Sequence, residues 1–122
     1  MAHVVIGNIS SAVASAVNHP EYSGKPVILG DDNITHMKNF HPEDYRKYGN
    51  RINEIISTPD YVGINKKDES IEFVKEYYIN GNYVKLAVRA SAKGTFFARS
   101  LYTLNRNRVE DFVKKGTLIQ LN

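Results

Sequence analysis

The strongest constraint on this chain is a strand–turn–strand signature in its second half. In YVKLAVRAS, residues 83–91, Val84, Leu86, Val88 and Ala90 alternate with Lys85, Ala87, Arg89 and Ser91. Side chains of a strand point to opposite faces with period two, so these two sets define two faces. Asn80-Gly81 joins this run to Ile71–Ile79. Asn-Gly between apolar runs is the strongest short-range hairpin signal, because both residues tolerate the left-handed backbone that a tight hairpin turn needs. Ala92-Lys93-Gly94 predicts a second tight turn, into a strand at Thr95–Leu104. Tyr61–Ile64 reads as a shorter strand upstream, followed by the polar loop Asn65–Glu69. Together these segments predict a four-stranded antiparallel meander.

The first half is patterned for helices. Residues 3–7, HVVIG, read as a short strand, and Pro26–Leu29 as another. Between them Ser10 or Ser11 can cap a helix through about Asn18, which His19-Pro20 ends. Asp32 can cap a short helix over Asn33–Phe40. His41-Pro42 opens the next, with Pro42 at the favoured first position and Glu43 and Asp44 in the first turn. Tyr45, Tyr48, Ile52, Ile55 and Ile56 follow at the three- and four-residue spacing of one helical face, and Pro59 closes it. Gly49 weakens its middle. A last helix is expected from about Arg106 to Lys115, stopped by Gly116, and Thr117–Leu121 can add an edge strand. Helices beside an antiparallel sheet define the α+β class. The expectation is one domain over residues 1–122, with N-terminal helices packed on the four-stranded sheet.

Composition narrows the function. Hydrophobic residues are 42% of the chain, enough for one core, and the 11% aromatic content excludes a disordered chain. With no cysteine, disulfides, a thiolate nucleophile and Cys-type zinc sites are excluded. This suits a cytoplasmic location. The net charge of +3 is compatible with a polyanionic partner but too small to demand one. No apolar window reaches membrane-spanning length, and the N-terminus lacks the basic start of a signal peptide.

Phosphate-binding glycine loops, HExxH and the nucleophile elbow are all absent. Asp31-Asp32 is explained by helix capping. The histidines are more pointed. His36 and His41 lie five apart in ITHMKNFHPEDY, and histidine is the side chain best suited to exchange protons near neutral pH. The bland alternative has His41 capping a helix and His36 packed on the sheet. That spacing on a broken helix is a weak zinc signal, so neither a metal nor a cofactor is expected. His3 and His19 carry no such context. Lys85, Arg89 and Ser91 share one strand face. On the next strand Arg99 points one way and Ser100 and Tyr102 the other. A wet, exposed sheet face would carry such residues, and so would a cationic cleft for phosphate, with Lys93 in the adjoining turn. A base, an acid and cations suffice to cleave RNA through its 2′-hydroxyl without a metal.

The stretches PVILGDDNITHMKNFHPEDY, INEIISTPDYVG, YVKLAVRAS and FFARSLYTLNRNRVEDFVKKGTLI occur in the order found in one family. The chain resembles the phage-type branch of the barnase–EndoU–colicin–RelE nuclease superfamily over about residues 4–121. The IxH…HP…PDYV succession is the most specific part. The resemblance implies an antiparallel sheet with N-terminal helices and a toxin-like ribonuclease of phages or mobile elements. It implies RNA as substrate and leaves room for a cognate immunity or antitoxin protein and for a longer polypeptide carrying the domain. Position by position, His36 and His41 fall at the helix histidines, Arg89 in the third strand, and Arg99, Ser100 and Tyr102 in the fourth. The competing readings are an inert RNA-binding domain, which would need exposed rings and cations but no arrangement of histidines, and a protein-interaction domain using a free strand edge.

Overall fold

The computed structural model describes residues 3–77 and 82–121. The Asn80-Gly81 turn and the end of the Ile71–Ile79 run lie outside the described residues. The strands are β1 (His3–Asn8), β2 (Pro26–Gly30), β3 (Tyr61–Ile64), β4 (Ile71–Tyr77), β5 (Asn82–Ala90), β6 (Phe96–Leu104) and β7 (Ile119–Gln120). The helices are α1 (Ser11–Ala16), α2 (Asp31–Phe40), α3 (Pro42–Tyr48), α4 (Ile52–Ser57) and α5 (Arg106–Lys114). None of the described helices is long and apolar enough to cross a membrane.

The expected meander is present: β3, β4, β5 and β6 pair antiparallel in succession. It is the centre of something larger. The sheet has seven strands in the order β1-β2-β6-β5-β4-β3-β7, and it is mixed, because β2 runs parallel to β6. The four-stranded, purely antiparallel expectation is therefore corrected. Val27 and Ile28 of β2 pair with Phe96 and Phe97, covering the β6 edge that a four-stranded sheet would leave open. β1 then pairs antiparallel with β2, and β7 with β3.

The β2–β6 pairing is short because Gly30 turns the chain out of the sheet and becomes the N-cap of α2. The helix thus starts two residues before the expected Asn33. Asn33 reaches back instead, its Oδ1 accepting from the Gly30 N–H at 2.8 Å. Beyond Phe97 the edge of β6 is closed by α2 and α3: the Asp44 carboxylate accepts from the Thr103 N–H at 3.2 Å. α1 stops at Ala16, short of the expected Asn18, which adopts φ 62°. The single helix expected from Pro42 to Thr58 is two, separated by a tight turn at Gly49–Arg51. There the Tyr45 ring lies over Gly49, where a Cβ would come within 2.9 Å of it.

Strand alternation sorts the apolar residues onto two faces. On one, Phe73, Val84, Leu86, Val88 and Leu101 are buried with Met37, Ile52, Ile55 and Ile56 from the helices. On the other, Val74, Tyr83 and Leu104 pack against Val109 and Leu118, beneath α5. The part of that second face which α5 does not reach stays open.

Candidate active-site cleft

The open end of this face is a cleft of about 660 Å³. Its floor comes from the β5–β6 pair, through Arg89, Ser91, Phe97 and Arg99. One wall is α2 with Asp32, Asn33 and His36, and His3 enters from β1.

Arg99 reaches the cleft through a break in the strand. The pairing steps from Ala87–Ser100 to Val88–Ala98, leaving Arg99 as the extra residue of a β-bulge. Strict alternation would set Arg99 on the face opposite Ser100 and Tyr102, and that expectation is corrected. The bulge lets Ala98 and Leu101, three apart, both face the core, and brings Arg99 into the lining of the cleft that Arg89 also lines. Among the described residues neither guanidinium forms an ion pair with a carboxylate. The lining thus carries two cations and one carboxylate, Asp32, while Asp68 beyond the lining also feels the Arg89 charge; the lining itself favours an anion.

His36 stands at the edge of this field. Its Nε2 lies 3.5 Å from Ser100 Oγ, a long contact. Phe40, one turn on, is 66% exposed with its ring centred 4.6 Å from that of His36.

The other predicted residues separate from this group. His41 stacks on Tyr102 at 5.0 Å, with its Nδ1 4.0 Å from the Asp44 carboxylate, and neither ring lines the cleft. Lys85, expected to hold substrate, is only 5% exposed, and its Nζ is 2.7 Å from the equally buried Glu72. The rings of Tyr102 and Phe112 flank it at 5.2 and 5.5 Å. Burial pulls the Lys85 pKa down, but bonds to Glu72 and Tyr102 outweigh it and hold the ammonium above the ordinary lysine range. Lys93 sits in the exposed β5–β6 turn, outside the lining, while Ser91 lines the cleft and its Oγ accepts from the Thr95 N–H. His3, Asn33 and Phe97 were not expected in a site. The register that pairs His3 with Gly30 is the signal that brings His3 there. Among the described residues no group of three or more His, Asp or Glu is placed to hold a metal ion.

Fold and cleft together define a small α+β protein with an open basic groove beside a histidine. The chain belongs to the phage-Barnase-EndoU-ColicinE5/D-RelE like nuclease3 family, whose pattern it matches over residues 4–111. No curated protein and no solved structure matches it. The family makes nucleic acid its class of substrate.

Proposed function

We propose that the protein is a metal-independent endoribonuclease, cleaving RNA by attack of the 2′-hydroxyl on the adjacent phosphorus. The observation that carries this reading is the convergence of His36, Arg89 and Arg99 on one open cleft. His36 moves a proton, as a base toward the 2′-oxygen or an acid toward the leaving 5′-oxygen. Arg89 and Arg99 neutralise the charge that develops on the non-bridging oxygens, and Ser100 donates to one of them or orients His36. The exposed Phe40 ring beside His36 is available for a base to stack on. A toxin-like role in phages or mobile elements goes with this activity, and a cognate immunity or antitoxin protein would act by covering the cleft.

The test is incubation with total cellular RNA and a panel of tRNAs in excess EDTA, beside a folded His36→Ala variant. Cleavage by the wild type that is lost in the variant is the expected result. RNA bound but uncut by the wild type would make this an inert RNA-binding domain.

A further inference from the structure

We infer that His3 is the second proton-transfer group of the cleft, working with His36. The inference rests on the ribonuclease reading above. In that reaction the 2′-oxygen forms a bond to phosphorus, the bond from phosphorus to the 5′-oxygen breaks, and a 2′,3′-cyclic phosphate and a 5′-hydroxyl result. One proton leaves the 2′-oxygen and one arrives at the 5′-oxygen, two transfers that a pair of imidazoles can divide between them, with the Asp32 carboxylate as the other candidate base in the lining. The helix pair His36 and His41 does not supply both. His41 is stacked on Tyr102 beside Asp44, away from the lining. The second imidazole in the cleft is His3.

The backbone is built to hold that ring there. In the β1–β2 register His3 lies opposite Gly30. Gly30 has no side chain, and the imidazole occupies the space one would fill: a Cβ at position 30 would come within 2.8 Å of His3 Cδ2 and 3.1 Å of Nε2. Having crossed Gly30, the ring meets Phe97 of β6 edge-on, with centroids 5.8 Å apart and planes at 76°. Phe97 is itself part of the cleft floor. Packing therefore directs a residue near the chain start across β2 toward the two arginines. Among the described residues neither nitrogen of the His3 ring makes a side-chain hydrogen bond, and the residue is exposed. His19, by contrast, is tied to Glu21 at 2.9 Å and stacked on Tyr22.

The decisive experiment measures kcat and KM across pH for the wild type, His3→Gln, His36→Gln, Gly30→Ala and the His3→Gln/Gly30→Ala double variant. Two substrates are used, a dinucleoside phosphate and a nucleoside 3′-(4-nitrophenyl phosphate). His3→Gln is expected to lower kcat on the dinucleotide about 100-fold or more, with little change in KM. It should also remove one limb of the pH profile. Gly30→Ala should lower activity in the same direction and add little to His3→Gln. The nitrophenyl ester needs no acid for its leaving group. If His3→Gln spares that substrate, His3 is the acid. An equal loss on both substrates makes it the base.

Both limbs retained in His3→Gln at wild-type kcat, or a change confined to KM, would overturn the inference while leaving the ribonuclease reading intact. A wild type that cuts neither substrate overturns both. A separate reading comes from NMR of the wild type with inorganic phosphate. The ring signals of His3 and His36 should move together while those of His19 stay; movement of His36 without His3 would also overturn the inference.

Discussion

Replacing Lys85 with Met is the sharpest test of where the structure puts its charges. Alternation along β5 sets Lys85 on the same face as Arg89, as though both met substrate. The sheet makes Lys85 a structural residue instead. Lys85 and Glu72 are 5% and 7% exposed and bonded at 2.7 Å. Removing the ammonium strands a carboxylate whose one other side-chain partner among the described residues is Asn65 Nδ2, at 3.4 Å. Breaking a buried pair from one side costs about 3–5 kcal/mol, whereas replacing both partners with apolar groups of similar volume is often neutral or stabilising. Lys85→Met and Glu72→Leu should each cost about that much, a large fraction of the roughly 5–15 kcal/mol that stabilises a domain. The double variant should recover most of the loss. Urea unfolding followed by circular dichroism measures all four corners of the cycle. Single losses below about 1 kcal/mol, or a double loss equal to the sum of the singles, would refute the argument. The sign with pH follows. The folded pKa of Lys85 lies above its ordinary 10.5, so the contribution is fully present below that pH and is lost as pH rises through the folded value.

Arg89→Ala and Arg99→Ala should each lower kcat of RNA cleavage about 100-fold, the scale for losing one donor to developing oxyanion charge, with little change in the urea midpoint. An unchanged kcat in both variants would remove the cationic floor from the mechanism. Tyr77 offers a test away from the cleft. Its hydroxyl is buried with no hydrogen-bond partner among the described residues, and burial, reinforced by Glu54, pushes its pKa from 10.0 up to about 12. Its raised pKa lowers stability as pH climbs from about 10 to 12, since the unfolded chain loses the proton first. Tyr77→Phe should therefore be neutral or stabilising by up to about 1 kcal/mol at pH 7. It should also delete a tyrosine that titrates at about pH 12 from an alkaline absorbance titration; a clear loss of stability at pH 7 would contradict the unpartnered hydroxyl.

The strands were legible because their patterns are local. Val84, Leu86 and Val88 point inward as their alternation requires, and Tyr48, Ile52, Ile55 and Ile56 are buried although the helix that carries them is broken at Gly49. What escaped is long-range or depends on backbone irregularity. Pairing of β2 with β6 joins residues 27 and 28 to 96 and 97, and no local pattern announces it. The Glu72–Lys85 pair depends on register. A two-residue turn at Asn80-Gly81 would set Lys85 opposite Glu76, whereas the structure pairs Tyr77 with Asn82, sets Lys85 opposite Val74 and so makes Glu72 its diagonal neighbour. The bulge shows only in the folded strand: Phe96, Ala98 and Leu101 all join the core beneath the helices, so the period of two on that face fails between Ala98 and Leu101, where Arg99 sits.

These irregularities make the cleft. If β2 continued alongside β6 past Phe97, its side chains and their pairing would fill the space now open between α2 and the arginines. Gly30 ends that pairing, caps α2 two residues after the last paired position, Ile28, and leaves room for the His3 ring above it. Without the bulge, a strand that kept Leu101 opposite Leu86 would set Arg99 opposite Val88, in the core-facing place that Ala98 holds, a burial of charge costing several kcal/mol. With it, the guanidinium faces outward and the core keeps both Ala98 and Leu101. The groups best suited to phosphodiester chemistry thus gather where the sheet departs from regular pairing. A Gly30 side chain or a deletion of Arg99 should disturb the cleft more than the core that the regular strands build.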